Sequence, residues 1–177
     1  FIYEDEIWKV LIPKTHEASC YWGQGTEWCT AVRDNDYYYN SYSEQGPLFI
    51  NISKQTGDKY QFHFESEQFM DKDDLSIDEP IFENMDASTE LMNFYQSYFN
   101  DDKEKFFRLK YEIFDDNYYS YKIYKVNSNF YIYSKTYDKF ITNEPILDYY
   151  IDDNNDYTII RLELVEGWVI YNSYYDE

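Results

Sequence analysis

The reactive side chains of the N-terminal half are concentrated in residues 13–30, which hold a histidine, two cysteines, two tryptophans and a Gly-x-Gly turn. Cys29 has the chemistry of a nucleophile, and His16 or His63 that of the general base which would activate it. Such catalysis needs an electropositive setting, because the thiolate is the reactive form. The chain carries a net charge of −20. We therefore expect a raised thiol pKa, and we favour a buried strand in which Cys29 serves as a small apolar side chain.

Metal binding is the second chemistry that these residue types allow. The histidines and cysteines of this half are His16, Cys20, Cys29 and His63. Their spacing, H-x3-C-x8-C-x33-H, matches no common zinc motif. The aspartate runs at 71–74 and 152–156 lack the glycine and glutamate positions of a calcium-binding EF-hand loop. We therefore predict neither a metal site nor a cofactor.

Aspartates and tyrosines form the predicted binding surface, because the negative charge is concentrated in two segments. Residues 71–90 hold eight acidic residues against one lysine, and residues 137–177 hold ten acidic residues against two basic ones. Patched charge is typical of a recognition surface, and tyrosine offers a large contact area at low entropic cost. The predicted binding residues are Asp71, Asp73, Asp74, Asp148, Tyr149, Tyr150, Asp152, Asp153 and Asp156.

Composition excludes several classes of protein. The net charge of −20 would repel a polyanion, so direct nucleic-acid binding through phosphate neutralisation is not expected. No window approaches 18 consecutive apolar residues, so a membrane-spanning helix is not expected. Aromatic residues make up 23% of the chain, which provides enough apolar area for a folded core. Two cysteines and no signal-peptide pattern predict a cytoplasmic protein with reduced thiols.

Three sequence patterns in the N-terminal half carry a resemblance to other proteins. They are P-x-T-x-E-A-S over 13–19, G-x-G-T-x-W-C-T over 23–30 and K-Y-Q-F-H-F over 59–64. Together they resemble a group of uncharacterised small proteins, many of them phage-encoded, and the resemblance covers roughly residues 8–75. It implies a phage origin but no activity.

Hydrophobic periodicity predicts an α+β fold, with antiparallel sheets, a few helices and a C-terminal β meander. The predicted helices are 16–22, capped by Thr15, and a helical segment over 85–114 with a break near residues 100–102. The predicted strands are 6–12, 26–32, 48–53, 60–65, 119–126, 130–134, 157–164 and 168–171. Residues 37–43 fit either a helix or a strand.

The chain length predicts a single compact unit over 1–177. A subdivision into 1–84, 85–114 and the tyrosine-rich meander 115–177 is possible on the same pattern.

These features predict a non-enzymatic, acidic binding protein. The specific hypothesis is a phage-encoded inhibitor in the host cytoplasm that binds a host defence or nucleic-acid-binding protein with a basic surface. Its spaced carboxylates would take the place of DNA phosphates, so it would itself contact neither nucleic acid nor membrane. Two alternatives stay open. One is a small enzyme that uses His16, Cys29 and His63, and the other is a phage protein that host defence senses.

Overall fold

The computed structural model describes residues 1–154 and 157–174 of the chain. These residues form five α-helices and twelve antiparallel strands in three sheets, so the predicted α+β class is confirmed. The chain divides into two compact units, Phe1–Tyr98 and Phe99–Glu177. The boundary falls inside the segment 85–114, between two helices. Among the described residues, no helix combines the length and the apolar character needed to cross a membrane.

The first unit contains one antiparallel sheet with strand order β1-β2-β3-β4-β5, so every strand pairs with its neighbours in sequence. Its elements are β1 (Tyr3–Glu4), β2 (Trp8–Leu11), α1 (His16–Trp22), a 3₁₀ turn (Cys29–Ala31), α2 (Tyr37–Gln45), β3 (Phe49–Ser53), β4 (Lys59–His63), β5 (Gln68–Met70), α3 (Ile81–Asn84) and α4 (Thr89–Tyr98). The strands predicted over 48–53 and 60–65 are confirmed as β3 and β4, which pair antiparallel as a hairpin.

Helices cover both faces of this sheet. On one face, Phe62 of β4 lies 5.9 Å from the ring of Tyr95 in α4, whose hydroxyl donates to Asn51 Oδ1 at 2.6 Å. On the other face, Leu11 and Ile50 pack against Trp28 beside the 3₁₀ turn. Aromatic burial on both sides of one sheet accounts for much of the apolar content of this half.

Local sequence signals explain α1 but not the segment that follows it. Thr15 Oγ1 accepts the backbone N–H of Ala18 at 3.1 Å, so the predicted cap and helix are confirmed. The strand predicted over 26–32 is wrong, because a 3₁₀ turn forms there. The indole N–H of Trp28 donates to the Asp71 carbonyl at 2.6 Å, which holds the segment against the end of β5. Residues 37–43, which fitted either structure, belong to helix α2.

The second unit contains two antiparallel sheets, with strand orders β6-β7-β8-β9 and β10-β11-β12. Its elements are α5 (Lys103–Lys110), β6 (Ile113–Asp115), β7 (Tyr121–Val126), β8 (Asn129–Ser134), β9 (Lys139–Phe140), β10 (Asp148–Asp153), β11 (Tyr157–Leu164) and β12 (Gly167–Tyr174). The predicted C-terminal meander is confirmed. Residues 148–153, over which no strand was predicted, form β10.

The four-stranded sheet of the second unit is covered on both faces. Tyr124 of β7 lies 5.7 Å from the ring of Phe107 in α5, and Lys122 pairs with Glu104 of the same helix at 3.0 Å. On the opposite face, Ile123 belongs to the core that this sheet shares with Ile160 and other residues of the three-stranded sheet. The helix, the four-stranded sheet and the three-stranded sheet therefore form three layers.

Candidate binding surface

His16 begins helix α1 and is hydrogen-bonded to the backbone. Its Nε2 lies 2.9 Å from the carbonyl oxygen of Val32 and 3.3 Å from Sγ of Cys20. A carbonyl can only accept a hydrogen bond, so Nε2 carries the proton and donates it to Val32. In this arrangement Nε2 cannot take a proton from Cys20, although the two side chains are adjacent.

His63 is a buried structural residue of β4. Its Nε2 lies 2.9 Å from the Tyr42 carbonyl, to which it must donate, and its Nδ1 accepts the backbone N–H of Ser66 at 3.2 Å. The Ser66 hydroxyl lies 2.7 Å from the same Nδ1. Both ring nitrogens are therefore committed to joining α2, β4 and the turn after β4.

Cys29 lies in a setting that disfavours the thiolate. Burial raises the pKa of its thiol, and the carboxylate of Asp74 raises it further, which is the direction expected from the acidic composition. Within the described residues, no hydrogen bond joins Cys29 to His16 or His63. The pKa of Cys20 is also raised by burial, although Arg33 opposes the shift. Both thiols are free.

Metal-ligating side chains are dispersed over the described part of the chain. In residues 1–154 and 157–174, no three histidine, cysteine, aspartate or glutamate side chains come together in a group that could hold a metal ion.

The predicted binding residues Asp71, Asp73 and Asp74 lie in the loop after β5, where Asp71 has a structural role. Its Oδ1 accepts the backbone N–H groups of Asp73 at 2.9 Å and Leu75 at 3.0 Å. Asp73 and Asp74 are exposed, and burial together with the Asp71 charge raises the pKa of Asp74. The ammonium group of Lys72, between Asp71 and Asp73 in sequence, lies 3.8 Å from the carboxylate of Asp58 and reduces the local negative charge.

Strand β10 divides the other predicted residues between two faces. Side chains alternate along a strand, so Tyr149 and Asp153 point the same way as buried Ile151, towards the core. Tyr149 packs 5.0 Å from the ring of Phe130, and burial, followed by Tyr118 and Asp115, raises its pKa to about 12. Asp153 Oδ1 accepts the hydroxyl of Thr158 at 2.7 Å.

The remaining predicted residues of this strand, Asp148, Tyr150 and Asp152, point away from the core. Asp156 lies outside the described residues.

The outward-pointing side chains of the three-stranded sheet form one surface, which we call the outer face. It consists of Asp148, Tyr150, Asp152, Ile159, Arg161, Glu163, Trp168 and Ile170. Tyr150, Trp168 and Ile170 are 54%, 56% and 59% exposed. The guanidinium of Arg161 lies 5.7 Å from the centre of the Tyr150 ring, its cross-strand partner.

Sequence reasoning predicted the strand over 168–171 but assigned Trp168 and Ile170 no role. The available signal was a run of four apolar residues in the last strand of a meander, which has a neighbour on one side only. Exposed aromatic and aliphatic groups beside carboxylates are suited to protein recognition. The outer face therefore carries exposed apolar side chains on its edge strand β12, with Glu163 and Arg161 beside them on β11 and two aspartates on β10.

Comparison with known proteins assigns this chain to no family and identifies no partner. No family model matches the chain, and no curated protein or solved structure is similar to it. The resemblance of residues 8–75 to small phage proteins stays a prediction.

Proposed function

We propose that the protein is a non-enzymatic binding protein whose outer face engages a basic surface of a partner protein. The observation that carries this proposal is the exposure of Trp168 and Ile170 on a sheet whose opposite face is packed at β10 and β11. Monomeric proteins seldom leave such large apolar side chains together in solvent without an interaction that uses them. Tryptophan and tyrosine are also the residue types that contribute most to binding energy at interfaces.

The charge of the outer face indicates the chemistry of the partner. The outer face carries three carboxylates, from Asp148, Asp152 and Glu163, and one basic side chain, Arg161. The chain as a whole has a net charge of −20. Lysine- or arginine-rich surfaces would be attracted and nucleic acid repelled. The carboxylates would chiefly raise the association rate and the specificity, and the exposed side chains of Tyr150, Trp168 and Ile170 would supply most of the affinity.

The more specific part of the proposal concerns the target. A basic groove that normally holds nucleic-acid phosphates suits an acidic surface, so we propose a host defence or nucleic-acid-binding protein as the partner. The protein would then act as a phage-encoded inhibitor in the host cytoplasm. The same surface would also suit recognition by a host defence complex at a site unrelated to nucleic acid.

The test compares capture of host proteins by matched charge variants. The outer-face variant carries Asp148→Asn, Asp152→Asn and Glu163→Gln. The control carries Asp34→Asn, Asp36→Asn and Glu44→Gln at exposed positions of the first unit, so its net charge changes equally. We expect the outer-face variant to lose at least about tenfold of the captured partner, and the control to retain it. Equal loss in both variants, or no loss in either, would contradict the proposal.

A competition experiment then distinguishes the two kinds of target. Added duplex DNA should displace the captured partner if the carboxylates occupy a phosphate-binding groove. Rising salt should weaken that complex, because screening shortens to about 8 Å at physiological ionic strength. Displacement by salt but not by DNA would assign recognition to a surface unrelated to nucleic acid.

A further inference from the structure

We propose that β12 accepts an extended basic segment of the partner as a fourth strand of the C-terminal sheet, and that an apolar side chain of this segment enters a cavity between the two sheets of the second unit. This inference rests on the proposed function and gives the partner a conformation and a sequence pattern.

Strand β12 offers a long and unprotected sheet edge. It pairs with β11 over Gly167–Tyr174 without a register shift, and it is the last strand of its sheet. Every second residue of an antiparallel edge strand directs its backbone N–H and C=O away from its neighbour, and no described strand pairs with that side. Edge strands are usually protected by charges, proline or bulges. The eight residues of β12 include no charged residue and no proline.

The core of the second unit is incomplete at this strand. The register places Val169 opposite Leu162 and Tyr171 opposite Ile160, all on the inner face. Leu162 and Ile160 are buried, whereas Val169 and Tyr171 are exposed. Inner-face residues are therefore buried on β11 and exposed on the neighbouring edge strand β12. A strand added beside β12 would cover Val169 and Tyr171.

An open cavity lies where such a strand would place its inner side chains. It has a volume of about 300 Å³, and Tyr171 at the edge is one of its walls. The other lining residues are Tyr121, Ser134, Tyr137, Lys139, Ile141, Thr158 and Ile160. Here a sheet of four strands packs against a sheet of three. A fourth strand would give both sheets the same number of strands and bury the apolar surface that Val169 and Tyr171 now expose.

The two faces of the sheet determine the pattern of the incoming segment. Its outward side chains would lie beside Trp168 and Ile170 of β12, and the field of a chain of net charge −20 favours lysine or arginine there. Its inward side chains would meet the cavity and must be apolar. Because side chains alternate along a strand, the expected pattern is basic and apolar residues in alternation. A second copy of this chain fits poorly, because two molecules of charge −20 repel each other.

The test uses synthetic peptides as defined probes of the full chain. The parent peptide is Lys-Leu-Lys-Val-Lys-Leu-Lys with both ends blocked. Two further peptides of the same sequence carry N-methyl groups on alternate backbone nitrogens, one on the lysines and one on the apolar residues. All three have the same charge and side chains, but each methylated peptide lacks the N–H donors of one strand edge.

Edge pairing predicts an asymmetric result. One methylated peptide should bind at least about tenfold more weakly than the parent, and the other about as well. NMR shifts on adding the parent should be concentrated in β12 amides. Equal binding of all three peptides would overturn edge pairing but leave outer-face recognition by charge intact. Failure of every peptide to bind at physiological salt would also overturn it, as would a dimer of the free protein with protected β12 amides. By contrast, the proposed function fails if the two charge variants capture partners equally.

Discussion

The sheet of the first unit and the three-stranded sheet of the second unit use aromatic residues in opposite ways. Trp28 is 2% exposed, packs on Leu11 and Ile50, and donates its N–H to a backbone carbonyl. Trp168 is 56% exposed on the outer face. The first sheet has helices on both faces, whereas the second has an inner face that is packed at β10 and β11 and an outer face that is exposed. Aromatic side chains thus form a closed core around the first sheet, whereas on the three-stranded sheet Tyr150 and Trp168 lie on an open surface.

The acid-rich segments of the two units also differ in whether their carboxylates are used within the fold or point into solvent. In the first unit, the carboxylate of Asp71 accepts hydrogen bonds from two backbone N–H groups and stabilises its own loop. Asp148 and Asp152 lie two residues on either side of Tyr150 on one face of a strand, where alternation aims them into solvent. Segments of similar charge therefore differ in what they offer a partner, because backbone geometry decides where the carboxylates point.

Replacing each tryptophan by alanine should give the largest contrast. We expect Trp28→Ala to lower the free energy of unfolding by about 3–5 kcal/mol, because it leaves a cavity and removes a buried hydrogen bond. Trp168→Ala should change it by about 0.5 kcal/mol or less. Urea denaturation followed by far-UV circular dichroism measures both. A cost for Trp168→Ala as large as that for Trp28→Ala would place Trp168 in a core and refute the contrast.

A smaller loss is expected from breaking the ion pair that anchors α5 in the second unit. Glu104 pairs with nearly buried Lys122 at 3.0 Å and accepts the hydroxyl of Tyr124. Glu104→Ala removes this carboxylate from a buried ammonium group, so we expect a cost of about 3 kcal/mol. Thermal unfolding should show it, and exposed Glu112→Ala serves as the control. Equal melting temperatures for the two variants would mean that the pair contributes no stability.

The smallest expected effect concerns the electrostatics of Cys29. The Asp74 carboxylate raises the pKa of this thiol, so Asp74→Asn should lower it and increase the thiolate fraction at pH 8. Asparagine also accepts the left-handed backbone at residue 74, where φ is 60°. In a Cys20→Ala background, we expect reaction with a thiol reagent to accelerate by about twofold. Asp73→Asn is the matched control, and the same acceleration in both variants would exclude a specific effect of Asp74.

The sequence was sufficient to predict helices and strands that are determined by residues within or next to the element itself. Helix α1 follows from Thr15 as cap and Gly23 as the residue after the helix, and the β3–β4 hairpin follows from alternation around a Gly57 turn. Strand β10 was missed because its aspartates have low β propensity, and pairing with β11 overrides that preference.

The same limit applied to the candidate site. The acidic segments were visible in the sequence, but which aspartates share a face depends on the register with β11. The 3₁₀ turn at Cys29–Ala31 was missed for a related reason, because a hydrogen bond from Trp28 to a residue 43 positions away holds it. Long-range contacts of this kind leave no periodic signature in the chain.

The position of Trp168 also gives the molecule an optical reporter of its own. It is the single tryptophan between residues 99 and 177, and the other three lie in the first unit. Its indole is open to small quenchers, whereas Trp8 and Trp28 are enclosed. The surrounding carboxylates should concentrate caesium ions and exclude iodide, so its fluorescence should be quenched more by the cation than by the anion. A partner bound to the outer face would shield this indole from both ions, so unlabelled protein would reveal whether that surface had been covered.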